Sequence, residues 1–286
     1  MSDGKGDLVD RHAQDVADRP VYRRYVALGD SFTEGVGDDD VARPNGLRGW
    51  ADRVAEQLAA HAVHAGGPAP GYANLAVRGR LLPQILDEQI EPALALQPDL
   101  VTVYAGGNDM MRPSLDLDAL VARYEAALCR LTASGARVLV FTAYDAGWAP
   151  VFRRLRGRTA IYNELLRPAA AQAGADLVDY WNMRGFDDTR MWGTDRLHMS
   201  PWGHTLMAAE VLDVLGVPHA VERPQLPPAP ALTRSEQRDV DREWLRTFLV
   251  PWVGRRLRGA SSGDGIRPKY PVLTPIAEPA QNRNAV

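Results

Sequence analysis

An α/β fold built on a parallel sheet is what this sequence predicts, and two observations predict it. Five short apolar runs rich in Val, Leu and Tyr alternate with longer segments of helical period, which is the rhythm of repeated βα units. Those runs are also nearly continuous in apolar residues, as strands covered by helices on both faces must be. Length and composition agree: 286 residues with 45% hydrophobic and 24% charged side chains supply a full-sized core and match globular rather than disordered or fibrous chains.

In chain order the strands are expected at 25–28, 72–76, 100–104, 138–142 and 176–180, and the helices at 47–63, 81–96, 116–134, 158–173 and 202–215. Ser200 followed by Pro201 suits the start of the last helix, as N-cap and first helical residue. Past Leu215 the texture changes, because Pro218, Pro224, Pro227, Pro228 and Pro230 mark a linker. Residues 234–258 read as a helical arm carrying Trp244, Leu245, Phe248, Leu249, Trp252 and Val253, interrupted by Pro251. From Ser261 onward a loosely ordered tail is expected. The domain plan is therefore a polar segment over 1–20, an α/β domain over 21–216, and a linker, arm and flexible tail over 217–286.

A formal net charge of −3 and a pI near 6.1 argue against nucleic acid or an anionic membrane as the primary partner. No run approaches the ~18 apolar residues of a membrane span, and no apolar stretch follows the polar N-terminus, so a cytoplasmic location is expected. Thirty-one of the 33 basic residues are arginine; the lysines are Lys5 and Lys269. Between 234 and 270 nine basic residues face five acidic ones, which fits contact with an anionic surface or, preferably, an arm packing its aromatics on the core or on a second copy of the chain. Cys129 is the single cysteine, which excludes an intrachain disulfide, and its helical context predicts a small buried residue.

A serine hydroxyl is a poor nucleophile until a base takes its proton. The first strand delivers Gly29-Asp30-Ser31 to the carboxyl edge of the sheet, where open α/β folds bind ligands. Alone, this tripeptide reads equally as a capped turn. Gly106-Gly107-Asn108-Asp109 leaves the third strand at the same edge with an amide able to donate to a developing oxyanion, or serves as a glycine-rich turn. Gly79, in Asn74-Leu75-Ala76-Val77-Arg78-Gly79-Arg80, could offer an unobstructed backbone N–H or only a turn. In Asp195-Arg196-Leu197-His198 a carboxylate three residues before an imidazole can hold one ring nitrogen while the other faces the serine. Each has a plain structural explanation singly; their joint occurrence, in this order and at these places, points to acyl transfer.

These four blocks resemble those of the SGNH hydrolase superfamily, also known as the GDSL lipase/acylhydrolase family, over roughly residues 22–215. The resemblance implies a flavodoxin-like three-layer α/β/α sandwich with a five-stranded parallel sheet. It implies Ser31 as nucleophile, His198 as general base and acid, and Asp195 as its orienter. The backbone N–H groups of Ser31 and Gly79 with the Asn108 amide would form the oxyanion hole, and no metal or organic cofactor is needed. Ala76 stands where an earlier glycine is frequent in the second block.

His204, six residues beyond His198, is expected to pack, and neither His61 nor His64 has the company of a zinc site. Tyr144, Trp148 and Trp192 lie on loops able to surround a pocket, or pack at its rim; Arg78 and Arg80 flank Gly79 as solvated side chains or anion contacts. The expected function is a serine esterase cleaving short acyl esters, of an acetylated carbohydrate or a small metabolite, through an acyl-enzyme on Ser31. Lysophospholipase, thioesterase or acyltransferase activity are alternatives within the superfamily. A catalytically silent binding or assembly protein using the C-terminal arm is the alternative outside it.

Overall fold

The computed structural model describes residues 20–112, 114–149, 152–229, 232–251, 254 and 261–276. Strand β1 (Arg24–Leu28) lies inside a sheet, parallel to β2 (Gly71–Asn74) on one side and to β3 (Leu100–Val103) on the other. Strands β4 (Arg137–Phe141) and β5 (Asp176–Val178) extend it in parallel beyond β3. The register sets Tyr25 between Tyr72 and Leu100, and Val26 between Ala73 and Val101.

Because side chains alternate along a strand, each run divides its apolar residues between two cores. Val26, Leu28, Val101, Val103, Val138 and Val140 face one core, with helices α3 (Leu82–Ala95), α4 (Leu117–Ala133) and α5 (Arg156–Gln172) packed over it. Tyr25, Ala27, Leu139 and Phe141 face the other, beneath α2 (Trp50–His64) and α6 (Pro201–Leu215). The result is the three-layer α/β/α sandwich. Ser200 caps α6 as expected, accepting from Gly203 N at 3.3 Å, and Asp52 reaches back to accept from Gly49 N at 2.7 Å at the head of α2.

The chain runs from β1 outward to β2, then returns across β1 to β3, giving the order β2-β1-β3-β4-β5 of a flavodoxin-like sheet. The reversal leaves a crevice at the carboxyl ends of β1 and β3, where ligands of open α/β sheets sit.

Three expectations are corrected. The sheet has six strands, not five: Tyr270–Pro275 forms β6, antiparallel to β2, within the stretch expected to be loosely ordered. Pro271 and Pro275 suggest loop, yet proline is tolerated on an edge strand, where its missing donor costs nothing. What secures the strand is tertiary. Tyr270 packs on Tyr72 with ring centroids 5.3 Å apart, and the fully buried Lys269 ammonium donates to Asp52 Oδ2 and to the carbonyls of Glu34 and Leu47. Cys129 is exposed, because Leu120, Tyr124, Leu128 and Leu131 form the inward stripe of α4 and Cys129 turns to the solvent side. The arm begins as an α-helix, α7 (Arg234–Trp244), and widens into a π-helical turn over Leu245–Leu249. Trp252, Val253, the segment 1–19 and the tail from 277 lie outside the described residues.

Removing one partner of a buried pair leaves an uncompensated charge. Lys269→Met is expected to destabilise the protein by about 3–5 kcal/mol in urea unfolding. The double variant Lys269→Met/Asp52→Leu should recover part of that loss, and a double variant no more stable than the single one would refute this account of β6.

Candidate active site

Ser31 is placed by a turn that only glycine can begin. Gly29 has φ +149°, and a Cβ there would stand 2.6 Å from Thr33 Oγ1 and 2.7 Å from the Tyr104 carbonyl oxygen. Gln89 of α3 grips the same residue from both sides, accepting from Gly29 N at 2.8 Å and donating to Gly29 O at 2.9 Å. Asp30 then caps a single helical turn, α1 (Ser31–Glu34), by accepting from Phe32 N at 3.0 Å, so Ser31 is its first residue. The turn is tied down further. Asn74 Nδ2 donates to Thr33 O at 3.0 Å, and the buried Glu34 carboxylate receives Arg78 N and Arg78 Nη2, each at 2.7 Å.

Asn108 arrives from β3 through Gly106 and Gly107, and its amide nitrogen donates to Asp30 Oδ2 and to Arg80 O, each at 3.0 Å. Both partners are acceptors, which fixes the orientation of the amide. Both of its N–H groups are therefore engaged. The Ser31 and Gly79 backbone N–H groups, by contrast, have no acceptor among the described residues. Gly79 has φ +77°, and a Cβ there would lie 2.4 Å from Ser261 Oγ. Ala76, at the position where glycine is frequent in the second block, is buried, with its N–H on Asn74 Oδ1 at 3.1 Å.

The Asp195–His198 turn has the geometry of a carboxylate–imidazole pair. Asp195 Oδ2 lies 2.6 Å from His198 Nδ1, while Asp195 Oδ1 accepts from the N–H groups of Leu197 and His198 at 3.0 Å each. Burial pushes the Asp195 carboxyl up, but the hydrogen bond and charge of His198 and the two backbone donors outweigh it and hold it below the usual carboxylate range. An ionised Asp195 keeps the proton on Nδ1, leaving Nε2 as the basic nitrogen. Among the described residues no hydrogen bond joins the Ser31 hydroxyl to His198; such contacts often tighten only when substrate binds.

Arg196, inside this turn, is held at φ +57°, a left-handed conformation that costs an L-residue about 1–2 kcal/mol. The C-terminal arm secures it. Arg196 Nη1 pairs with Asp241 Oδ1 at 2.7 Å, its guanidinium lies 5.1 Å from the Trp244 ring centroid, and Trp244 Nε1 donates to Asp195 O at 2.8 Å. Neither this clasp nor the Gln89 grip carries a local sequence signal, since the partners are far apart in the chain.

Ser31, Asn108, Phe152, Leu197 and His198 line two adjoining cavities. One, of about 150 Å³, is walled by Met111, Tyr144, Trp148, Leu155 and Trp192. The other, of about 370 Å³, is lined by Gly79, Arg80 and Asp195 together with Trp244, Phe248 and Leu249 of the arm. Tyr144 and Trp192 are 4.6 Å apart at their centroids, each donating to the Phe186 carbonyl. Arg78 is neither a solvated side chain nor an anion contact, because Glu34 holds it; Arg80 pairs with Glu88 at 2.9 Å. His204 packs as expected: Nδ1 accepts from Trp50 N at 3.1 Å, Nε2 is 3.2 Å from Val36 O, and burial drives its pKa down to about 3. No group of three or more His, Cys, Asp or Glu able to hold a metal occurs among the described residues, and no helix there is long and apolar enough to cross a membrane.

The family model described as GDSL-like lipase/acylhydrolase matches residues 27–206. Solved structures with the same fold include Axe2, an acetylxylan esterase from Geobacillus stearothermophilus, at 19% identity and TM-score 0.55, covering 68% of this chain and 94% of that one. LAE5, an alpha/beta hydrolase from the metagenome of Lake Arreo, matches at 22% identity and TM-score 0.52, covering 68% and 95%. TesA matches at 21% identity and TM-score 0.52, covering 68% and 98%. Comparison with curated proteins yields no match.

Asp30 provides a test of the site's electrostatics. Burial, only partly offset by Phe32 N and by His198, pushes its carboxyl up to about 7, with Asp109 and Glu34 adding repulsion. In the folded protein Asp30 holds a proton that the unfolded chain releases near pH 4, so its contribution to stability falls as pH rises from about 4 to about 7. Asp30→Asn keeps the shape and one acceptor oxygen, which can serve Phe32 N or Asn108 but not both. Urea unfolding across this window is expected to show a flatter pH dependence for the variant, and parallel curves would refute the assignment.

Proposed function

Because the chain belongs to the GDSL-like lipase/acylhydrolase family and is a serine hydrolase acting on esters, we propose that it cleaves short acyl esters through an acyl-enzyme on Ser31. The observation that carries the reading is the 2.6 Å Asp195–His198 pair, whose imidazole lines the same cavities as a serine whose own N–H, like that of Gly79, is left without an acceptor among the described residues. In this reading residues 21–216 are the catalytic domain and 217–286 its extension.

His198 Nε2 takes the Ser31 proton as Oγ attacks the ester carbonyl, and ionised Asp195 stabilises the imidazolium that forms. Negative charge then develops on the carbonyl oxygen. The N–H groups of Ser31 and Gly79 meet it without giving up a protein acceptor, whereas Asn108 must turn one N–H away from Asp30 or Arg80. The C–O bond breaks, the alcohol leaves with the proton from His198, and the acyl group stays on Ser31. Water attacks next, His198 removes its proton, and Ser31 recovers that proton as the acid departs.

The smaller cavity supports a short acyl group. Once the oxyanion donors hold the carbonyl oxygen, the rest of an acyl chain carries no polar atom and suits the walls of Met111, Trp148, Leu155 and Trp192. Its volume of about 150 Å³ is below the ~300–1,000 Å³ of sites for drug-sized ligands, which favours a few carbons over a lipid chain.

Ser31→Ala and His198→Ala are expected to abolish ester hydrolysis by folded protein. Asp195→Asn, which presents the wrong tautomer, should lower kcat by up to about 10⁴-fold, and Asn108→Ala by about 10²–10³-fold. Activity on p-nitrophenyl esters should peak at about two to four acyl carbons, as the small cavity requires. Undiminished turnover by Ser31→Ala would overturn the mechanism, and a peak at long chains would overturn the acyl assignment alone.

A further inference from the structure

The family match ends at residue 206, yet the larger cavity at Ser31 is closed by residues far beyond it. Trp244, Phe248 and Leu249 come from α7 and its π-helical extension, and Ser261, Ser262 and Asp264 from the turn that precedes β6. We propose that this C-terminal arm builds the leaving-group subsite, and that the subsite takes a neutral, polyhydroxylated alcohol of ring size. The proposal rests on the esterase reading above and adds to it the identity of the alcohol side.

Both ends of this wall are fastened to parts of the catalytic site. At one end Trp244 Nε1 holds the Asp195 carbonyl at 2.8 Å. At the other the 261–264 turn lies so close to the oxyanion loop that a Cβ on Gly263 would stand 2.0 Å from Arg78 O, and one on Gly79 would meet Ser261. The wall therefore sits at a set distance from Ser31.

The chemistry of the two cavities assigns them. The acyl remainder wants apolar surroundings, and the smaller cavity offers them. The alcohol departs to water and can carry polar groups, and the larger cavity sets aromatic faces among donors and acceptors. Phe152, Trp244 and Phe248 supply the faces. Arg112, which lines the cavity and makes no ion pair among the described residues, can supply donors, and Asp264 an acceptor, one of its oxygens already receiving Ser261 N at 2.9 Å. Arg80 is neutralised by Glu88. A wall with both signs and three aromatics suits a neutral ring whose C–H faces stack and whose hydroxyls reach both charges, better than a carboxylate or phosphate ester.

Two acetyl esters that differ only in their alcohol, 6-O-acetylglucose and ethyl acetate, test this with full-length protein, because both form the same acetyl-enzyme. Phe248→Ala and Asp264→Ala are expected to lower kcat/KM on acetylglucose about tenfold more than on ethyl acetate, the size of one lost stacking or charged contact. The rate of acetyl-enzyme hydrolysis should follow the parent enzyme, since the alcohol has left by then, and so should the acyl-length profile, since the acyl chain occupies the other cavity. Equal losses on both esters, a shifted acyl-length profile, or no change on either would overturn the proposal. A parallel titration of Ser31→Ala with acetylglucose, followed by tryptophan fluorescence, separates the two readings. If the parent enzyme hydrolyses neither ester, the catalytic reading fails, and the subsite stands only if Phe248→Ala weakens this binding.

Discussion

The turn at Gly29–Glu34 is the constraint on which the rest of the site depends. The chain must leave β1 where the Tyr104 carbonyl and Thr33 leave no room for a side chain at residue 29, and then enter a single helical turn that cannot stand alone. Its stability comes from outside. Gln89 holds Gly29, Asn108 holds Asp30, Asn74 holds Thr33, and Arg78 and Lys269 hold Glu34. Each partner belongs to a different loop or element, so assembling this turn also brings the loops that carry Gly79 and Asn108 around Ser31.

Several of these contacts involve charge in a buried setting, and their value lies in what happens when one partner is lost. Glu34 is fully buried and acceptable there because Arg78 N, Arg78 Nη2 and Asn45 Nδ2 occupy its oxygens. Lys269 joins the backbone of the same turn to Asp52 at the head of α2. A lysine suits this cage better than arginine, being a compact charge with three donors for three oxygens. The C-terminal stretch thus completes the sheet through β6, braces the Ser31 turn through Lys269, and reaches the Asp195–His198 loop through Trp244 and Asp241.

That triple role was hidden in the chain. Pro268, Pro271 and Pro275 disguise an edge strand as a loop, and Lys269 looks like any other surface cation until Asp52 is brought beside it. Cys129 misled in the opposite way. Its apolar neighbours suggest burial, but one residue is about 100° of helix rotation, and Leu128 rather than Cys129 faces the core. Ser31, Gly79, Asn108, Asp195 and His198 stood out as candidates because each follows a local rule: a glycine beside a polar side chain at a strand end, or a carboxylate three residues before an imidazole.

Residue type and chain order were sufficient to specify the alternating α/β architecture and to single out candidate groups for acyl transfer at one edge of the sheet. These properties are local, since strand period, caps and tight turns act within a few residues. Which N–H groups stay available, where Asp30 titrates, how Arg196 is kept in a left-handed turn and what encloses the larger cavity depend on contacts across tens to hundreds of residues. Burial and hydrogen-bond competition settle them, and both exist only once Asn108, Arg80, Asp241 and Trp244 have been brought together around Ser31.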